Sequence, residues 1–305
     1  MGDERFWRIR IKYPNEDLTK IAWKKGVVGI WYGAWTASDF EKLLNLARGE
    51  VADALTECNK RAGLAWKITP AFIDTAKRFW TISEHDWVFS CFDDSVHIAK
   101  VEGVEIRPHK EFARGGEQFK FRKLKLAKSF VLNELPDCFR LLASAGRGNV
   151  HQVGATRALV RLLADNNSEA DVCAHFRQLS WEEWLNALGP HGWESLCLGY
   201  LVMEHDFVPT SLDVGRTLPF FDLIGRTRSG QRIYAQCKKN PFPVTVGDDF
   251  TATLKPLVNT SLTFVFAYGG CMNLPAGVQL ITATDLKKWF SNTQQGRTYM
   301  RLLIR

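Results

Sequence analysis

Residues 221–238 read FDLIGRTRSGQRIYAQCK, and this stretch decides how the C-terminal part of the chain folds. Short apolar runs over residues 220–224 and 232–238 predict two strands. Ser229 and Gly230 between them are turn residues, so the second strand is expected to fold back onto the first. The stretch is therefore predicted to form a β-hairpin.

Helix and strand patterns alternate around this hairpin. Helices are predicted at residues 181–187, 193–203 and 285–290, and strands at residues 262–267 and 278–281. A helix, a hairpin and two more strands with flanking helices are typical of a layered α/β protein. Residues 181–305 are therefore predicted to form an α/β/α sandwich with a mixed sheet.

Polar side chains converge on the hairpin. Side chains alternate between the two faces of a strand, so Gln236 and Lys238 share one face and Cys237 lies on the other. The turn places Asp222 near both polar residues, and Glu194 on the upstream helix can lean toward the same point. Other acids near this helix are alternatives to Glu194, namely Glu204, Asp206 and Asp213.

This set of side chains suits a divalent cation acting on a phosphodiester. A hard cation such as Mg²⁺ prefers oxygen ligands, and Mn²⁺ is a possible substitute. Asp222 offers a carboxylate, Gln236 an amide oxygen, Cys237 its backbone carbonyl and Glu194 a second carboxylate. Lys238 is a compact positive charge that can orient a water or stabilise charge on the phosphate. The alternative is a surface hairpin with ordinary polar residues.

A helix Glu, a strand Asp and a Gln-x-Lys strand, in this order, resemble the Mrr-like branch of the PD-(D/E)XK nucleases. The resemblance covers about residues 181–290, and Phe221 stands where the family often has proline. The family implies a Mg²⁺-dependent endonuclease that usually acts on DNA. Asp222, Gln236, Lys238 and Glu194 are then the expected catalytic residues.

The N-terminal 150 residues show mixed strand and helix signals and many tryptophans. Alternating patterns predict strands near residues 7–12, 27–32 and 119–130, and a hairpin joins residues 87–92 and 96–101 around Asp93-Asp94. The pattern predicts a small β-barrel with helices outside it, of the α+β class. Residues 151–180 are predicted to form a helical linker.

Several pieces of this N-terminal region, in order, resemble the EVE/PUA-like domains. They include Trp7-Arg8-Ile9, the GVVGIW segment at 26–31, His85-Asp86-Trp87-Val88 and residues 97–101. Some members of that family bind nucleic acid, and some hold a modified base in an aromatic cage. Such a cage needs flat stacking walls and a polar reader. The candidates are Trp31, Tyr32, Trp35, Trp80, Trp87 and Phe89, with Asp93 or Asp94 as the reader, although each aromatic fits a core position too.

Positive charge is concentrated between residues 107 and 128. The chain has a net charge of +7, and this window holds eight basic residues against two acidic ones. A concentrated basic strip suits a phosphate backbone, whereas a solvated strand face is the alternative. The candidates for DNA-backbone contacts are Arg107, Lys110, Arg114, Lys120, Arg122, Lys123, Lys125 and Lys128.

Composition narrows the class of protein. The chain has 305 residues, enough for two domains, and 46% are hydrophobic. No apolar run is long enough to span a bilayer, and the N-terminal MGDERFWRIR lacks the apolar segment of a secretory signal. Seven scattered cysteines without a CxxC pair indicate reduced thiols in a cytoplasm. No GxxxxGK[ST] loop occurs, which argues against an NTP motor.

The sequence thus predicts a modification-dependent restriction endonuclease of type IV character, with residues 1–150 reading a modified base and residues 181–305 cutting DNA. One active site cuts one strand, so a homodimer is expected on DNA. Two alternatives stay open. The nuclease can respond to another DNA or RNA structure or signal, as a repair or defence effector. The second domain can instead be a catalytically degenerate module that only binds nucleic acid, because glutamine supplies one negative charge fewer than the usual acid.

Overall fold

The computed structural model of the protein describes residues 4–13, 16–31, 33–108, 112, 119–144, 149–154, 156–210 and 221–303. The chain folds as two compact units. The first comprises Met1–Leu135 and Phe139–His175, and the second comprises Pro136–Cys138 and Phe176–Arg305. Both units combine helices with sheets, so the described chain has the mixed α/β character that the sequence predicts.

The first unit contains a six-stranded mixed sheet with helices on both faces. Its strands are β1 Phe6–Ile9, β2 Lys12–Tyr13, β3 Glu16–Asp17, β4 Val27–Ile30, β5 Trp87–Phe92, β6 Ser95–Pro108, β7 Lys120–Val131 and β8 Val150–Gln152. Its helices are α1 Thr19–Lys24, α2 Ala37–Lys42, α3 Arg48–Arg61, α4 Pro70–Trp80, α5 Leu141–Ser144, α6 Arg157–Asp165 and α7 Glu169–Gln178, which crosses into the second unit. Strands β2 and β3 pair separately.

The large sheet has the order β4-β7-β6-β5-β1-β8, and only β1 and β5 are parallel neighbours. The sequence predicted a β-barrel, and the described strands form one half-barrel sheet with β4 and β8 as its outermost strands. The hairpin predicted at Asp93-Asp94 is present, and both residues have positive φ angles of 48° and 53°, as a tight turn requires.

The two faces of this sheet are buried by different helices. Val88, Ala99 and Val101 pack into one apolar cluster with residues of α3 and α4, including Leu55 and Phe79. Strand alternation sends Trp87 and Phe89 to the opposite face, where they are also buried. Helix α6 is tied to this sheet by Lys128, whose Nζ donates to the carbonyls of Ala164 and Asn166 at 2.6 and 2.8 Å.

Residues 151–175, assigned above to a helical linker, belong to the first unit by their contacts. Strand β8 pairs with β1, and Val150 lies in the apolar core. The apolar face of α6, with Leu159 and Leu163 fully buried, explains why this helix packs against the sheet instead of bridging two domains.

One buried carboxylate holds β1 beside β5. Asp86 is 1% exposed and precedes β5. Its oxygens accept hydrogen bonds from the Arg5 and Ser83 backbone N–H groups and from Trp7 Nε1, at 2.9 to 3.2 Å. Arg5 also forms an ion pair with Asp86 at 2.9 Å. Asp86 thus satisfies donors from β1, from Arg5 just before β1 and from the turn that leads into β5.

The second unit contains a five-stranded mixed sheet of order β15-β13-β11-β10-β9. Its strands are β9 Val208–Pro209, β10 Leu223–Arg226, β11 Arg232–Lys238, β12 Val244–Thr245, β13 Ser261–Ala267, β14 Cys271–Met272 and β15 Gln279–Ile281. Its helices are α8 Trp181–His205, α9 Asp248–Leu254, α10 Ala283–Asn292 and α11 Gln294–Leu303. Strands β12 and β14 form a separate two-stranded ribbon.

Helix α8 is interrupted in its middle. It begins at the Ser180 N-cap, whose side chain accepts from the Glu183 N–H. Gly189 has φ 66° and ψ −173°, a conformation open almost only to glycine, and Pro190 follows. The two helices predicted separately at residues 181–187 and 193–203 are therefore two segments of one interrupted helix.

The two segments of α8 pack against different partners. Trp181 and Trp184 in the first segment contact the ring of Phe290 on α10. Lys239 closes the end of this segment, because its Nζ donates to the Leu185 carbonyl at 2.7 Å. In the second segment, Tyr200 packs against Phe266 of β13. None of the helices in the described part of the chain is long and apolar enough to cross a membrane.

Candidate active site

The hairpin predicted from the sequence is formed by β10 and β11. Leu223 pairs with Ala235 and Arg226 with Arg232, and β11 pairs in parallel with β13 along its whole length. Along β11, Ile233, Ala235 and Cys237 are buried. Gln236, which stands between Ala235 and Cys237, is half-buried, and Lys238, which follows Cys237, is exposed. These two side chains therefore share the other face.

Asp222 forms hydrogen bonds with the residues on either side of Gln236, at the end of the hairpin. The Asp222 N–H donates to the Ala235 carbonyl at 3.0 Å, and Asp222 Oδ2 accepts from the Cys237 N–H at 2.7 Å. Peptide N–H groups of a strand point sideways, within the plane of the sheet. The Asp222 carboxylate therefore lies in the plane of the sheet at the strand end, next to Gln236.

Glu194 approaches from the helix side of the sheet. The second segment of α8 packs on the face of β11 that carries Cys237, and the buried Cys197 thiol of α8 lies near the Cys237 thiol. Burial raises the pKa of the Glu194 carboxyl above its ordinary value, and the negative charge of Asp222 adds to this increase. His191 and Lys238 act in the opposite direction. Glu194, Asp222 and Lys238 are thus close enough for their charges to interact.

Two polar side chains at this strand end have no partner in the described part of the chain. Neither the Gln236 amide nor the Lys238 ammonium makes a side-chain hydrogen bond or ion pair with another described residue. Lys238 is held by its backbone, whose carbonyl accepts from the Tyr268 N–H at 2.9 Å. The amide oxygen and the ammonium are therefore available to a ligand.

The sequence analysis missed three residues near this site. His191 Nδ1 lies 3.5 Å from Glu194 Oε2, and the spacing of three residues on a helix is the signal that points to this pair. Cys197 is fully buried against Cys237, and burial raises the pKa of the Cys197 thiol. Lys239 caps the first segment of α8, and burial lowers the pKa of its ammonium to about 8.

The chemistry of the donor set fits a hard divalent cation. Asp222 and Glu194 bring two carboxylates together, and Gln236 and the Cys237 carbonyl add neutral oxygens beside them. Among the described residues, no group of three or more His, Cys, Asp or Glu side chains could hold a metal. A cation here would therefore depend on amide and peptide oxygens as well as on acids.

The described aromatic residues proposed as a base cage lie in two groups, on opposite faces of the sheet. Trp31 and Trp35 are 4% and 1% exposed and belong to one apolar cluster, against which Trp80 packs. Trp87 and Phe89 are buried on the opposite face of the sheet. Asp93 lies at the tip of the β5–β6 hairpin and forms an ion pair with Lys20 at 2.6 Å. Tyr32 lies outside the described residues.

The basic strip does not form one exposed face. Lys120 and Arg122 are 1% and 2% exposed, and burial lowers the pKa of the Arg122 guanidinium to about 10. Lys128 caps α6, as described above, and Lys125 lies 4.0 Å from Glu84. Lys123 is exposed. Lys110, Arg114 and the Arg107 side chain lie outside the described residues.

Lys120 is expected to stabilise the fold. Its Nζ donates to the Gly33 carbonyl at 2.9 Å and lies 3.8 Å from the centre of the Trp35 ring. Lys120→Ala would leave a cavity and a buried carbonyl without this donor, so we expect a loss of about 2–4 kcal/mol in unfolding free energy. Urea denaturation measures it. Lys123→Ala is the matched control and should leave stability unchanged. Weaker DNA binding by Lys120→Ala at unchanged stability would contradict this role.

Compared with known proteins, the chain matches no family model, and no curated protein or solved structure shows significant similarity to it.

Proposed function

We propose that the protein is a Mg²⁺-dependent DNA endonuclease, a phosphodiester hydrolase whose active site is of the Mrr-like PD-(D/E)XK type. The observation that carries this proposal is made at the end of β11. There Asp222 accepts a hydrogen bond from the Cys237 N–H beside Gln236. The charge of Glu194 interacts with those of Asp222 and Lys238. An acid, an amide and a lysine at one strand end support this proposal, because a nuclease motif of this type uses these three residues.

Each residue of this site has a role that follows from its position. Asp222 and Glu194 would hold the cation with the Gln236 amide and the Cys237 carbonyl. Bound Mg²⁺ would act as the Lewis acid of the hydrolysis. The Lys238 ammonium is exposed and would bind the scissile phosphate, where it stabilises the negative charge that grows in the transition state. The Cys237 N–H fixes the Asp222 carboxylate before any ligand binds.

The first unit would bind DNA as an EVE/PUA-like domain. The proposed role of the whole chain is the restriction of base-modified foreign DNA in a cytoplasm. A second candidate is a nuclease triggered by another DNA or RNA structure or signal. In that candidate the same active site cuts nucleic acid, and the first unit binds a feature other than a modified base.

Cleavage of defined DNA tests these proposals. Unmodified, cytosine-methylated, hydroxymethylated and glucosylated DNA are incubated with the protein in Mg²⁺, in Mn²⁺ and in a chelator. We expect cleavage with either cation, none with the chelator, and products from modified DNA alone. Equal cutting of all four substrates would remove the dependence on modification. If no substrate is cut and calorimetry shows no Mg²⁺ or Mn²⁺ binding, the chain is a binding module.

Restriction also requires that both strands be cut. One site hydrolyses one strand, so we propose that two copies of the chain act together on DNA. Sedimentation of the protein on a cleavable duplex should show a dimer. Monomers alone on a substrate that is cut in both strands would contradict this proposal.

A further inference from the structure

A single aromatic ring stands exposed beside the candidate active site. Phe242 is 73% exposed, the highest value among the large hydrophobic residues of the described chain. It makes no ring contact with another described aromatic residue. Burying a phenylalanine side chain stabilises a protein by about 1.5–3 kcal/mol, so an exposed ring forgoes that gain.

The backbone that carries this ring is held in place. Pro241 and Pro243 fix φ on either side of Phe242. The Phe242 N–H donates to Asn240 Oδ1 at 3.0 Å, and the Asn240 carbonyl accepts from the Gly269 N–H at 2.9 Å. Gly269 lies against this segment so closely that a Cβ there would be 2.4 Å from the Pro241 carbonyl oxygen. The ring is therefore presented on an ordered turn.

The turn lies at the same edge of the sheet as the catalytic candidates. It follows Lys238 at the carboxyl end of β11, and Gly269 follows β13, the parallel neighbour of β11. Phe242 is the fourth residue after Lys238, so the Cα atoms of the two residues are at most ~14 Å apart. Base pairs rise by about 3.4 Å, so the ring stands within about four base-pair steps of a phosphate bound at Lys238.

The size of the exposed surface indicates its partner. A phenylalanine buries at most ~250 Å², whereas a stable protein interface buries about 800 Å² on each partner. One ring is thus too small to hold a second copy of the chain. It matches a base step, into which nucleic-acid-binding proteins insert single apolar side chains.

We propose that Phe242 is a wedge that enters a base step of duplex DNA near the scissile phosphate and holds the backbone in register with Lys238. This inference rests on the proposed nuclease function. Unstacking at the wedge deforms the duplex locally, so the ring contributes to cleavage of duplex DNA and contributes nothing on single strands, which are already unstacked.

Two measurements on the full chain test the wedge. The first is the fluorescence of a duplex that carries 2-aminopurine in place of adenine, bound in Ca²⁺, because unstacking brightens this base. The second is the rate of cleavage of duplex and single-stranded DNA in Mg²⁺. The wild type should brighten the duplex and Phe242→Ala should not. Phe242→Ala should also cut duplex DNA about 10–100-fold more slowly, the value of one stacking contact, and single strands at the wild-type rate.

Val202→Ala is the matched control, an exposed apolar residue on α8, and should behave as wild type in both measurements. Phe242→Trp should retain the wild-type signal. The proposal is overturned if Phe242→Ala brightens the duplex as the wild type does, if it slows cleavage of both substrates equally, or if it changes only the sedimentation of the protein. Failure of the nuclease function gives a different result, namely no products from wild-type protein, and the fluorescence still decides the wedge.

Discussion

Asp222→Asn is expected to lower the rate of DNA cleavage by about a thousandfold or more. Asparagine still offers an oxygen to the Cys237 N–H, which lies 2.7 Å from Asp222 Oδ2, so the hairpin should keep its structure. The substitution removes one of the two carboxylate charges that Asp222 and Glu194 present to a divalent cation. Single-turnover cleavage in Mg²⁺ measures the rate, and calorimetry measures Mg²⁺ binding.

Two further variants separate the roles within the site. Asp206→Asn is the matched control, because Asp206 is an exposed acid of the same unit that pairs with Arg228 at 3.8 Å. It should cut at the wild-type rate. Lys238→Ala should lose cleavage while it keeps Mg²⁺ binding, since the proposed role of the ammonium is to bind the phosphate and not the cation. Wild-type cleavage by Asp222→Asn would remove the proposed active site.

Asp86→Ala is expected to destabilise the first unit by about 3–5 kcal/mol, since it removes a buried carboxylate that pairs with Arg5 and leaves several donors unsatisfied. Asp86 accepts from the Arg5 and Ser83 backbones, the Trp7 indole and the Arg5 guanidinium. The melting temperature of this unit should fall by about 10 °C. Thermal and urea unfolding followed by circular dichroism measure the change.

Asp53→Ala is the control for this prediction. Asp53 lies on α3, its side chain is 74% exposed and its nearest cation, Lys67, is 3.8 Å away. This substitution should leave the unfolding transition where it is. A similar small effect of Asp86→Ala would show that the bonds to Arg5, Trp7 and Ser83 contribute little to stability.

The β10–β11 hairpin was predictable because its pattern is local. Strand β11 covers residues 232–238 as predicted, and a period of two alone places Gln236 and Lys238 on one face. Asp222 needed only a tight turn to reach them. The signals for the β5–β6 hairpin are equally local, since Asp93 and Asp94 tolerate the positive φ angles of its turn.

The features that could not be predicted depend on contacts between residues that are far apart in the sequence. Lys120 and Arg122 are typical surface residues, yet the Gly33 and Trp80 carbonyls accept from them inside the first unit. Residues 157–165 show the same helical pattern whether the helix bridges two domains or covers a sheet. The burial of Leu159 and Leu163 and the bonds from Lys128 to the carbonyls at the end of α6 show that this helix covers the sheet.

The interruption at Gly189 affects the direction in which the Glu194 side chain points. In a continuous helix every residue has a rotational phase set by those before it, at about 100° per residue. The break at Gly189 frees the second segment of α8 from the rotational phase of the first. The tryptophan-rich first half of α8 can therefore dock on α10, while the second half turns independently to bring Glu194 toward Asp222. Removing one residue between 190 and 193 would swing this carboxylate a quarter of a turn around the helix axis, together with Cys197 and Tyr200, which pack the same segment against the sheet.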